Sequence, residues 1–163
     1  MSKSNIPHFT LSEKLTEEQK EFFDKNGVIL FKNFLSSDVV DLFRSEIKRI
    51  GDEWLKEEVT KVNGIPLKFG TDVDGNKMIQ RFCFLNHHSE AFKNLLRDPR
   101  LQSLTELLHP YEGRISENEK DGLVLNHYVK TKGSKFTQMG WHTDSPRDLF
   151  LGQKIMPMLN IGI

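Results

Sequence analysis

In a chain of 163 residues, the segment Gly140-Trp141-His142-Thr143-Asp144-Ser145 holds the residue types best suited to metal chemistry. On an extended backbone, side chains two positions apart leave from the same side. One imidazole nitrogen of His142 and one carboxylate oxygen of Asp144 can then reach a common ion. A site of two histidines and one carboxylate on one face leaves coordination positions open and suits iron(II). His142 and Asp144 would supply two of those three ligands, and the bulky Trp141 beside them is suited to shielding such a site from water. The spacing alone is a common one, since His88-Ser89-Glu90 repeats it. There Ser89 reads as a helix cap, so His88 and Glu90 would diverge at a helix start and read as surface residues.

The elements that must position the first pair can be traced from the start of the chain. Thr16 and Gln19 fit a capping box, Glu17 and Glu18 suit the positive end of a helix, and Gly27 can close it. Residues 28–31 are a short apolar run that predicts a strand. A second helix starts near Ser36 or Ser37. Val40, Phe43, Ile47, Ile50 and Trp54 recur on it at three- and four-residue steps, which makes one buried stripe. Residues 65–69 and 78–85 predict two strands, joined by a turn at Asp72, Val73, Asp74, Gly75 and Asn76. A calcium loop is excluded there, because the position that needs a distal carboxylate is Cys83. Two short helices follow, the first capped by Ser89 and the second opened by Asp98-Pro99. Leu101, Leu104, Leu107 and Leu108 give the second a buried face. Residues 123–129 alternate as a strand, with Asn126, Tyr128 and Lys130 on one face. Residues 131–138 read as a polar loop or ragged strand, and residues 155–163 as another strand, with Pro157 hinting at an edge or bulge.

Composition narrows the partners. Lys+Arg and Asp+Glu both number 23, so no basic excess points to nucleic acid or to an anionic membrane. No stretch is long and apolar enough to span a bilayer, and the first residues lack the apolar run of a signal peptide; the expectation is a cytoplasmic protein. Twelve Phe point to an aromatic core, and a lone Cys83 excludes an internal disulfide or a Cys-based zinc site. Helices early and strands late predict an α+β fold in a single domain over 1–163, helical to about residue 60 and mainly strand from about 61.

The order of an Asn-bearing strand, a Gly-containing loop and Trp-His-x-Asp in LNHYVKTKGSKFTQMGWHTD, residues 125–144, resembles the phytanoyl-CoA dioxygenase family of iron(II), 2-oxoglutarate-dependent oxygenases. LTEEQKEFFDKNGVILFKNFLSSDVVDLFRSEI, residues 15–47, is similar to that family's opening of helix, strand and helix.

The resemblance implies a double-stranded β-helix, a cupin-like jelly roll with the N-terminal helices packed outside. It implies iron(II) on His142 and Asp144 plus a second His from a later strand, 2-oxoglutarate as cosubstrate, and oxidation of a small-molecule substrate with release of succinate and CO2. Asp144 favours hydroxylation, since related halogenases lack that carboxylate. Asn126 matches a strand position that can hydrogen-bond 2-oxoglutarate, and Met139 would line the same pocket. Lys130, Lys132 and Lys135 form a basic cluster near this segment that reads as a solvated loop, and Arg147 could reach the mouth of the site. His127 points away from Asn126 and matches no ligand position.

Two family features are missing. After Asp144 there is no His and only one Arg, Arg147, so the second iron His and the Arg that would anchor 2-oxoglutarate have no counterpart. About five or six predicted strands are also too few for a jelly roll of eight. The expectation is therefore an oxygenase domain incomplete in this chain, with roughly 100 further residues needed to close it. The alternative is a non-catalytic β-fold binding or interaction module in which His142 and Asp144 are ordinary polar residues.

Overall fold

In the computed structural model, the residues described are 6–115, 117–118, 121–128 and 160–163. The chain opens with β1 (His8–Phe9) and α1 (Glu17–Asn26), followed by β2 (Leu30–Phe31) and the long α2 (Ser37–Lys56). Thr16 accepts from the Gln19 amide at 3.2 Å while the Gln19 side chain accepts from the Thr16 amide at 2.9 Å. This is the capping box expected from the sequence, and Gly27 ends the helix at φ 67°. Ser36 caps α2. The strand expected over 28–31 shrinks to β2, which lies parallel to β1; no signal in the apolar run announced a partner so far upstream.

The next stretch forms two hairpins. β3 (Lys61–Val62) pairs with β4 (Ile65–Pro66) across Asn63 at φ 47° and Gly64 at φ 80°, a left-handed pair suited to the twist of adjoining strands. β5 (Lys68–Thr71) then pairs with β6 (Lys77–Phe82). One predicted strand over 65–69 is thus two, because β4 already belongs to the Asn-Gly hairpin. At the β5–β6 turn the Asp72 carboxylate accepts from the amides of Asp74 at 2.9 Å and Asn76 at 2.8 Å. That carboxylate works as a turn former.

β6 stops at Phe82, short of the expected residue 85. Phe84 takes φ 54°, which breaks the extended run, and residues Leu85–His87 wind into a single 3-10 turn. α3 (Glu90–Leu96) and α4 (Pro99–Ser103) follow. Ser89 holds the cap position of α3 without bonding its amides; Asp98 accepts from the Arg100 amide at 2.8 Å. Residues Leu104–Leu108 continue α4 as a 3-10 helix. β7 (Leu125–Asn126) adds to β6 antiparallel, giving the order β5-β6-β7. The strand expected over 155–163 is absent from residues 160–163, which have no regular structure and are exposed; residues 155–159 lie outside the described residues, as does the loop expected over 131–138.

The core has two centres. Ile50 and Trp54 of α2 meet Val62, Leu67, Ile79, Phe82, Cys83, Leu85 and Phe92 in the first. Leu11, Leu15, Leu95, Leu96, Leu101, Leu104 and Leu107 make the second, with Phe43 and Leu123 packed against both. The α2 stripe is buried most deeply at its C-terminal end. Val40, Phe43 and Ile47 are only partly buried, and Phe43 stacks on Phe92 of α3 at 4.9 Å rather than on the sheet. The described residues form helices and three small sheets, with no closed barrel among them.

Candidate functional site

The sheet edge formed by β6 and β7 carries the predicted site residue that falls within the described chain, Asn126. Its cross-strand partner is Arg81, and Leu125 pairs with Phe82. Cross-strand partners share a face, so Asn126 and Arg81 stand on one side of the sheet. The guanidinium of Arg81 pairs with the carboxylate of Asp121, and both are partly buried. Asn126 Oδ1 is buried and has no hydrogen-bond partner among the described residues. A buried amide oxygen left bare costs about 1–3 kcal/mol.

His127, the next residue, is committed elsewhere. Its Nδ1 lies 3.1 Å from the Ile79 carbonyl; a carbonyl only accepts, so Nδ1 carries the hydrogen. Its ring meets Phe82 edge-on at 5.7 Å.

The stretch leading into β7 is held by side chains from the β6–α3 region. Asn86 donates to the Glu117 carbonyl at 2.9 Å and accepts from the Leu123 amide at 3.0 Å. Arg97 makes a two-pronged pair with Glu117 at 3.1 and 3.2 Å, and it holds the Glu117 carboxyl below the usual range. His87 Nε2 lies 3.0 Å from Asn118 Oδ1. Sequence reasoning missed Arg81, Asn86 and Asp121. Asp121-Gly122 is itself a turn signal that could have marked this stretch as structured.

His88 and Glu90 diverge as expected. The His88 ring lies edge-on to Trp54 at 5.0 Å, and burial there pushes its pKa down. Glu90 instead pairs with Lys93 at 3.1 Å. Cys83 is fully buried, and burial pushes its thiol up, which makes it an inert core residue.

His142, Asp144 and Met139 lie outside the described residues, as do Lys130, Lys132, Lys135 and Arg147. Among the described residues, no group of three or more His, Cys, Asp or Glu is placed to hold a metal ion. No helix among them is long and apolar enough to cross a membrane. The donor chemistry of His142 and Asp144 suits iron(II). Asn126 Oδ1, an acceptor, suits a ligand group that donates a hydrogen bond.

No family model matches the chain, and no solved structure matches it. Over 83 residues, 50% of this chain, it is 28% identical to "Phytanoyl-CoA dioxygenase, peroxisomal" of Mus musculus. The matched stretch is 25% of that protein, so the chain spans about a quarter of the length of the curated relative it matches. This similarity supports a distant relationship to that oxygenase.

Proposed function

We propose that this chain is the part of an iron(II)- and 2-oxoglutarate-dependent dioxygenase that carries His142 and Asp144 as metal ligands. The observation that carries the reading is Trp-His-Thr-Asp following an Asn-bearing strand; the distant similarity to a phytanoyl-CoA dioxygenase supports it. When bound, iron and 2-oxoglutarate supply the oxygen-dependent oxidation of a C–H bond, with succinate and CO2 released. His142 would donate an imidazole nitrogen to the metal and Asp144 a carboxylate oxygen. Asn126 and Met139 would line the cosubstrate pocket, with Asn126 Nδ2 donating to a carboxylate without adding charge. The second His and the Arg for the far carboxylate would come from residues beyond these 163, where the domain would close as a double-stranded β-helix with α1 and α2 outside. The substrate is a small molecule, and a cytoplasmic location belongs to the same proposal.

The test is release of succinate from 2-oxoglutarate by the full-length protein with iron(II) and oxygen. Turnover should stop on chelation and in Asp144→Ala, which loses a charged ligand. Chelator-insensitive turnover, or an Asp144→Ala variant as active as the parent, would remove iron at this motif from the mechanism.

A further inference from the structure

β7 is too short to fix its own position. Its ladder with β6 has two pairs, Arg81 with Asn126 and Phe82 with Leu125, continued by one bond from the His127 amide to the Gln80 carbonyl at 2.7 Å. Upstream the strands fall out of step. The Leu85 amide donates to the Leu123 carbonyl at 3.1 Å and the Phe84 amide to the Asp121 carbonyl at 2.8 Å. From Phe82 to Leu85 one strand advances three positions while its partner runs back two, from Leu125 to Leu123. The pairing loses its step just past the end of β6, and the left-handed Phe84 sits at that junction. A short ladder broken in this way leaves register weakly specified, and a slip of one residue turns every side chain to the other face.

Two residues at this junction remove that freedom. Asn86 is 3% exposed, and both ends of its amide are used. Nδ2 donates to the Glu117 carbonyl, and Oδ1 accepts from the Leu123 amide. Oδ1 thus ties the Leu123 amide, two residues before β7, to the turn that follows β6. Gly122, just before it, has φ 60°, and a Cβ there would lie 2.7 Å from Phe84 Cδ1 and 2.9 Å from Asn86 Oδ1. Only glycine lets the incoming strand approach so closely. An aspartate in place of Asn86 would keep the acceptor but lose the donor.

We propose that Asn86 and Gly122 form a positioning pair that sets the register of β7 on β6. Through that register they decide which face of the sheet Asn126 presents. Among the described residues Asn126 Oδ1, like Ser89 Oγ, is buried without a hydrogen-bond partner, and the register determines the face to which the Asn126 amide is turned. The consequence for 2-oxoglutarate rests on the proposed function; the positioning itself does not.

The experiment uses the full-length protein and two readouts. In Asn86→Ala, hydrogen exchange at the Leu123 and His127 amides should speed up at least about tenfold, as expected for loss of one buried hydrogen bond. Amides of the β5–β6 ladder should keep their protection. The KM for 2-oxoglutarate should rise by about tenfold with kcat little changed, and this rise should vanish in an Asn126→Ala background, where there is nothing left to position. Unchanged exchange at Leu123 and His127 would overturn the positioning role. So would KM effects of Asn86→Ala and Asn126→Ala that simply multiply. If the parent protein does not turn over 2-oxoglutarate, the proposed function falls, and exchange alone decides for or against the register lock. Should Asn86→Ala fail to fold, Asn86→Leu, of similar volume but able to make neither bond, is read in the same way.

Discussion

Truncating Trp54 to alanine should expose how far α2 holds the sheet that carries Asn126. Trp54 is 4% exposed, its ring lies 5.6 Å from Phe82 of β6, and His88 meets it edge-on. A tryptophan buries roughly 150–250 Å², and at about 25 cal/mol per Å² that amounts to roughly 4–6 kcal/mol as an upper estimate. Trp→Ala substitutions in cores cost about 3–5 kcal/mol, so about 4 kcal/mol is expected here. For a chain of this length that lowers the melting temperature by roughly 8–16 °C. The assay is guanidinium unfolding followed by far-UV circular dichroism, since Trp fluorescence is altered by the substitution itself. Leu42→Ala serves as the control: Leu42 is on the same helix but 48% exposed, and its loss should change stability by no more than about 0.5 kcal/mol. A Trp54→Ala cost below about 1 kcal/mol, or one equal to that of Leu42→Ala, would refute the packing of α2 on β6.

Gly70→Ala should destabilise by about 1–3 kcal/mol in the same assay, because its Cβ would overlap the amide of Gln80, which is 2% exposed; an unchanged midpoint would mean that amide has room to move. Asp98→Ala should cost about 1–2 kcal/mol, since it removes the cap on α4 and the partner of Arg100 at 2.6 Å. Glu46 gives a pH dependence: the Arg49 guanidinium, with help from Ser89, holds its carboxyl down at about 2. Because the folded value lies below the unfolded one, the contribution is complete above the ordinary carboxylate value of 4.5 and is lost as pH falls toward about 2. Glu46→Gln should therefore be less stable than the parent by about 1 kcal/mol or less at pH 6. That gap should narrow in urea titrations near pH 3; a gap that widens there would contradict the assignment.

The helices were legible where local chemistry dictates them. The Thr16 box, the Ser36 cap, the Gly27 stop and the Asp98-Pro99 start all act within a few residues, and each stands in the structure as the sequence predicts. Strand limits depend on partners far along the chain. β2 is short because its partner is β1, and β6 ends where Phe84 turns left-handed to meet the 121–123 stretch; neither follows from alternation of apolar residues. Asn63-Gly64 was a readable hairpin signal, hidden because Ile65 and its neighbours look like one continuous strand. Around Asn126, the neighbours Arg81, Asn86 and Asp121 could not be picked out in sequence. Their roles come from contacts across 31 to 40 positions, and no local pattern encodes those.

The measurement that bears most directly on the central claim is an anaerobic titration of the full-length protein with iron(II) and 2-oxoglutarate, followed by visible absorption. Chelation of the metal by a 2-oxo acid gives a charge-transfer band that neither component produces alone. The account predicts that this band appears in the parent protein only when both are present. It should be lost in His142→Ala and in Asp144→Ala, each of which removes a proposed ligand. A band retained in both variants would place any metal elsewhere, and no band in the parent would contradict the assignment of this chain to an iron(II), 2-oxoglutarate-dependent oxygenase.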